Sequence, residues 1–177
     1  MNQKPRVATV WLDGCSGCHM SLLDMDERLL DFADKIDLVY SPLVDVKEFP
    51  QEVEVTLIEG AVGSDEDKEK LHLIRERTKI LVSLGDCAVT ANVPSMRNPF
   101  GVEAVLNRAY IETASVQAQI PRQDLPALRA RALPLHQFVK VDLFMPGCPP
   151  SADMIHFALS ELIAGRLPDF GTSARFG

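Results

Sequence analysis

Cys15, Cys18, Cys87 and Cys148 are the four cysteines of this 177-residue chain. They stand in three separate turns, GCSGC, GDC and PGCPP, spaced C-x2-C-x68-C-x60-C. Three follow a glycine directly (Gly14, Gly17 and Gly147), and Gly85 lies two residues before Cys87. Cysteines that merely fill a core have no reason to collect turn chemistry around every member of the set. Four thiols on turns suit a metal centre, but only in a fold that carries three distant turns to one place. That requirement constrains the architecture more than any other feature of the chain.

The segments between the turns alternate in type. RVATVWLD (6–13), IDLVYSPL (36–43), EVEVTLIEG (52–60), KILVSLG (79–85) and VDLFMPG (141–147) read as strands. Leu22, Met25, Leu29, Leu30 and Ala33 recur at helical spacing and predict a helix over 18–33. Ser64 with Asp67 three residues later resembles a capping box opening a charged helix that reaches about residue 78. Ile155, Ala158, Leu159 and Leu162 share one face of a last helix over 151–164. Alternating strands and helices predict an α/β fold: a flavodoxin-like, doubly wound parallel sheet of five strands in the order 2-1-3-4-5. Cys15 and Cys18 then follow the first strand, Cys87 the fourth and Cys148 the fifth. Parallel strands end on one edge, so the three turns converge there, where such sheets bind ligands.

The length predicts one domain over 1–177. Its stretch after a helix at about 101–110 fits the alternation poorly and is rich in proline and arginine (Pro121, Arg122, Pro126, Arg129, Arg131, Pro134). A connection of that length without regular structure serves a function, so 111–140 is expected to face a partner, as is an extended tail at about 165–177. Hydrophobic residues at 46% mark an ordinary globular chain, and a net charge of −7 argues against nucleic acid as a partner. No apolar run is long enough to span a bilayer, and neither a secretory signal nor a twin-arginine leader is expected. The expected location is the cytoplasm, where cysteines stay reduced and serve metals or catalysis more than disulfides.

Several centres compete for four thiolates. Structural zinc usually pairs two C-x2-C knuckles, and here the second is missing. A thioredoxin-like role for Cys15 and Cys18 leaves Cys87 and Cys148 without a task. An iron–sulfur cubane suits the residues best: it needs four thiolates, tolerates any spacing once the fold unites them, and often has proline after a ligand, as at Cys148-Pro149. With all four thiols used, such a cluster carries electrons and has no open iron for substrate.

The order C-S-G-C-H, I-E-G-A, G-D-C-A and P-G-C-P-P resembles the small subunit of nickel–iron hydrogenases over essentially the whole chain. Within that family it is most similar to the short form in cytoplasmic NAD-reducing (bidirectional) enzymes. The resemblance implies that Cys15, Cys18, Cys87 and Cys148 bind one proximal [4Fe-4S] cluster. It also implies a nickel–iron centre on a separate large subunit, with FMN and NAD on flavin and iron–sulfur diaphorase subunits. Longer members carry a C-terminal domain with further clusters, which is not expected here because no cysteine follows Cys148. The related complex I cluster subunit has adjacent cysteines where this chain separates Cys15 from Cys18, and it stands as the alternative. F420-reducing and other multimeric hydrogenases are nearer variants, and a zinc-stabilised binding module is the alternative from another class.

Glu59, in I-E-G-A, ends the third strand on the cysteine edge. It either serves the cluster or partner interface or is a strand-end carboxylate bonded to nearby backbone. Asp13 and Asp86 read as turn and capping residues. His19 reads as a satisfied helix-start histidine, Trp11 as core and His72 as solvated surface.

Overall fold

The computed structural model describes residues 4–171, 175 and 176. Five parallel strands form its main sheet: β1 (Arg6–Trp11), β2 (Asp37–Tyr40), β3 (Val53–Glu59), β5 (Thr78–Leu84) and β7 (Leu143–Met145). Their spatial order is β2-β1-β3-β5-β7, which is the expected 2-1-3-4-5 once the strands of this sheet are counted alone. The two remaining strands, β4 (Val62–Ser64) and β6 (Leu128–Leu133), pair antiparallel as a small second sheet. β3 and β5 are central and largely buried, which fits the apolar run ILVSL of β5, broken only by Ser83.

Alternate strand residues face opposite ways, and each face is covered. Val7, Leu57, Val82, Leu84 and Met145 pack on one side against Met25, Phe32, Ile155 and Leu159. Ala8, Val10, Ile58 and Leu81 pack on the other side against Leu71 and Ile74 of α3 (Asp65–Arg77). The capping box of α3 is present: Asp67 N–H donates to Ser64 Oγ at 3.0 Å, and Ser64 N–H donates to Asp67 Oδ2 at 2.8 Å. Three short helices follow β5: α4 (Asp86–Thr90), α5 (Asn92–Ser95) and α6 (Val102–Asn107). α6 falls where a helix is expected and continues as one wider turn to Glu112. Ile155 and Leu159 belong to the last helix, α7 (Ala152–Ile163), whose Ser151 hydroxyl accepts from Met154 N–H.

Two regions differ from the sequence expectation. The helix expected over 18–33 is broken into α1 (Gly17–Leu23), a 3-10 turn (Asp26–Leu29) and the single turn α2 (Leu30–Ala33). Asp26 has φ +49°, a left-handed conformation that no continuous α-helix accommodates. Leu22, Met25 and Leu29 pack on the sheet as expected, but past the break Phe32 takes the buried place, and Leu30 and Ala33 face outward.

The segment 111–140 also holds more structure than expected, since it contains β6. Ala132 and Leu135 are fully buried, so this half of the segment is part of the fold. Residues 113–127 carry no helix or strand. In the tail, Phe170 packs edge-on against Phe157 of α7 at 6.4 Å between ring centroids, and the remainder of 165–177 at positions 172–174 and 177 lies outside the described residues. Among the described residues no helix is long and apolar enough to cross a membrane.

Candidate metal centre

Each turn leaves the C-terminal edge of the sheet at a different strand. Cys15 is exposed, two residues beyond Asp13, and its Sγ accepts from Gly17 N–H at 3.4 Å. Cys18 is buried in the first turn of α1. Cys87 sits in α4 directly after β5, and exposed Cys148 lies between β7 and α7. All four are free thiols.

Backbone and side-chain hydrogen bonds lock these turns to one another. Asp13 and Ala61 exchange backbone bonds of 3.1 and 2.7 Å, which fixes the Cys15 turn against the end of β3. Gly60 makes this approach possible: at φ +95°, a Cβ there would lie 2.8 Å from the Leu12 carbonyl carbon. The Cys87 and Cys148 turns are clamped in both directions, by Asp86 N–H to Gly147 O at 2.9 Å and Gly147 N–H to Asp86 Oδ1 at 2.6 Å. Ser21 Oγ–H donates to Pro150 O at 2.5 Å and ties α1 to the same place. Asp86 therefore has the structural turn role expected of it.

The thiols sense one another. Burial, then Glu59 and the other three cysteines, push the Cys18 thiol well above its ordinary value. Burial likewise pushes Cys87 up to about 11, against a lowering hydrogen bond from the Val93 backbone, with Cys148, Cys15 and Glu59 adding to the rise. Thiols so placed stay protonated at neutral pH unless cationic iron or zinc replaces the protons. Gly85 completes the cradle. Its φ is +81°, and a Cβ there would stand 2.2 Å from Cys18 Sγ.

Among the described residues no three His, Cys, Asp or Glu side chains are arranged to hold a single metal ion. A lone zinc would draw its sulfurs to about 3.8 Å from each other, given Zn–S bonds of about 2.3 Å. The four cysteines gather at the ends of β1, β5 and β7, close enough that Cys18 feels the charge of the other three. Four thiols in this arrangement, with small residues between them and N–H groups on Cys15 and Cys87, fit the corners of a polynuclear iron–sulfur centre.

Glu59 is buried behind the Cys15 and Cys18 turns, 1% exposed. Its Oε2 accepts from His19 N–H at 2.9 Å and lies 2.5 Å from His19 Nδ1. His19 is buried and fully engaged, as a satisfied helix-start histidine should be. Trp11 departs from the core role expected of it. The last residue of β1, it is 46% exposed and donates Nε1–H to Gly14 O at 3.2 Å. His72 lies on the exposed side of α3, as expected.

A family model described as NADH ubiquinone oxidoreductase, 20 Kd subunit, matches residues 15–162. The delta subunit of the NAD-reducing hydrogenase HoxS of Cupriavidus necator is 42% identical over 175 residues, spanning 96% of this chain and 84% of the relative. A chain in the crystal structure of an NAD+-reducing [NiFe]-hydrogenase in the H2-reduced state superposes with a TM-score of 0.93. Its identity is 38%, and the match covers 99% of this chain and 100% of that one. The chain belongs to this family, on its nickel–iron hydrogenase small-subunit branch. Other hydrogenase polypeptides match over a shorter share of their length. One from the F420-non-reducing hydrogenase vhu of Methanocaldococcus jannaschii is 37% identical over 94% of this chain, which spans 59% of that relative.

Proposed function

We propose that the chain is the electron-transfer small subunit of an NAD-reducing nickel–iron hydrogenase, with Cys15, Cys18, Cys87 and Cys148 as ligands of one [4Fe-4S] cluster. The observation that carries this reading is the convergence of four free thiols at the ends of β1, β5 and β7, where Gly85 leaves room for the Cys18 sulfur. When bound, the cluster relays single electrons between the nickel–iron centre of a large subunit and the flavin and NAD sites of diaphorase subunits. The polypeptide holds its four corners through the Asp86–Gly147 clamp and the Ser21–Pro150 bond. Gly17 N–H and the Val93 backbone point at sulfur, and such bonds stabilise negative charge there and raise the potential. Hydrogen itself is handled on the partner.

Supporting this assignment are the high likeness to an NAD+-reducing [NiFe]-hydrogenase chain over its full length and the C-S-G-C spacing at Cys15 and Cys18. The cytoplasm is the proposed location, with residues 113–127 and the exposed cysteine edge as partner-facing surfaces. Affinity purification of the chain from its native host tests the reading. A nickel-containing partner and H2-dependent NAD reduction are expected in the purified assembly. A nickel-free, quinone-linked membrane assembly would instead assign the chain to the complex I type.

A further inference from the structure

α1 carries Cys18 but lacks an ordinary N-terminal cap, since Ser16 sits at φ 68° and offers no side-chain bond. The missing acceptor is supplied from another element. Glu59 Oε2, at the end of β3, takes His19 N–H at 2.9 Å. The same oxygen lies 2.5 Å from His19 Nδ1, and the other ring nitrogen, Nε2, lies 3.0 Å from Thr9 Oγ1 in β1. Thr9 Oγ1 in turn bonds Ser41 Oγ at 2.8 Å, and Ser41 Oγ accepts Leu43 N–H at 3.1 Å. Four polar side chains, from β3, α1, β1 and the loop after β2, thus form one continuous buried line, each 3% exposed or less.

This line is costly to build inside an apolar layer. Thr9 and Ser41 border a cavity of about 270 Å³ whose walls include Val7, Leu22, Met25, Leu57 and Leu159. Those walls offer no replacement partner for a broken bond, so each member is held by its neighbours. Both ring nitrogens of His19 are occupied, and the ring cannot turn without losing one of them. Since His19 follows Cys18 directly, its orientation sets the first turn of α1 and the direction of the Cys18 sulfur.

We propose that Glu59, His19, Thr9 and Ser41 are positioning residues for the Cys18 corner of the cluster site, with Thr9 acting through the His19 ring. The proposal rests on the functional reading above and deepens it. Bonds behind the ligands of a metal centre tune its electronic properties as well as its retention. A fault in this line should therefore appear in the cluster's potential and spectrum, beyond any change in stability.

The test uses the purified multi-subunit enzyme and the variants Thr9→Val, Thr9→Ser and His19→Gln. Thr9→Val keeps the side chain's shape and removes its hydroxyl. We expect it to retain full iron and sulfide while the midpoint potential and the electron paramagnetic resonance line shape both move. Thr9→Ser should restore both readouts to the wild-type values. His19→Gln should shift them further and lower H2-dependent NAD reduction by roughly tenfold. Unchanged potential and line shape in Thr9→Val and His19→Gln, at full iron content, would overturn the proposal. So would iron loss in His19→Gln alongside a wild-type Thr9→Val, because His19 would then serve retention alone. A wild-type enzyme with no iron–sulfur signal would sink the functional reading itself.

Discussion

Single residues decide whether the Cys18 sulfur fits at the sheet edge. Gly85 is the sharpest case, because φ +81° with ψ 162° is a conformation that belongs almost entirely to glycine, and the missing Cβ is what leaves room for Cys18 Sγ. Gly85→Ala adds backbone strain of about 1–3 kcal/mol and drives a methyl into the sulfur. We expect iron per chain to fall well below the wild-type value, read by metal analysis, with a lowered melting temperature. Full iron content in this variant would contradict the cradle. At this scale the sequence is informative about the cysteines and silent about the residues that support them. The cysteines stand out through their turns, whereas the bond from His19 to Glu59 spans 40 residues and leaves no periodic trace. A signal is present nonetheless: Thr9 and Glu59 are polar residues flanked by apolar ones in strands that read as buried, and buried polar groups need partners. Trp11 misleads for the opposite reason, since an aromatic in a strand usually packs inward unless the strand ends there.

Elements bring the turns to one edge, and their docking relies on a few polar contacts. Asp142, just before β7, accepts from Arg75 Nη1 of α3 at 2.5 Å and from Leu81 N–H of β5 at 2.9 Å. Burial alone would raise its carboxyl pKa, but the Leu81 N–H, the Arg75 guanidinium and Lys140 together hold it below the usual carboxylate range. A depressed acid stabilises the fold above its unfolded pKa, and that contribution is lost as pH falls through the folded value. Asp142→Asn should therefore cost roughly 1–3 kcal/mol at neutral pH. The gap to wild type should close as the pH drops from about 4 downward. Urea unfolding across that range checks it, and a gap independent of pH would contradict the assignment. The main strands are legible because each is an apolar run closed by glycine, proline or a charged residue. β6 is not, although LRARAL alternates as a strand should: its partner, β4, is only three residues long. The break in the first helix is hidden because apolar spacing continues across Asp26.

For the whole molecule, the doubly wound sheet explains why residues so far apart in sequence serve one site. β1, β5 and β7 end on the same edge, and both faces of the sheet are covered, so the edge is what remains for chemistry. The topology is legible from the alternation of strands and helices, and the proposed nature of the site rests on thiols at three strand ends. The partner surfaces are the least legible part, since exposed apolar residues such as Met96 and Phe100 carry no pattern that names what covers them. We propose that these four thiols together hold one cubane cluster. Quantifying iron, acid-labile sulfide and zinc in the anaerobically purified chain tests it most directly. We expect about four iron and four sulfide per chain, lost together on replacing Cys87 by alanine. One zinc per chain with no sulfide, or full iron and sulfide in Cys87→Ala, would contradict it.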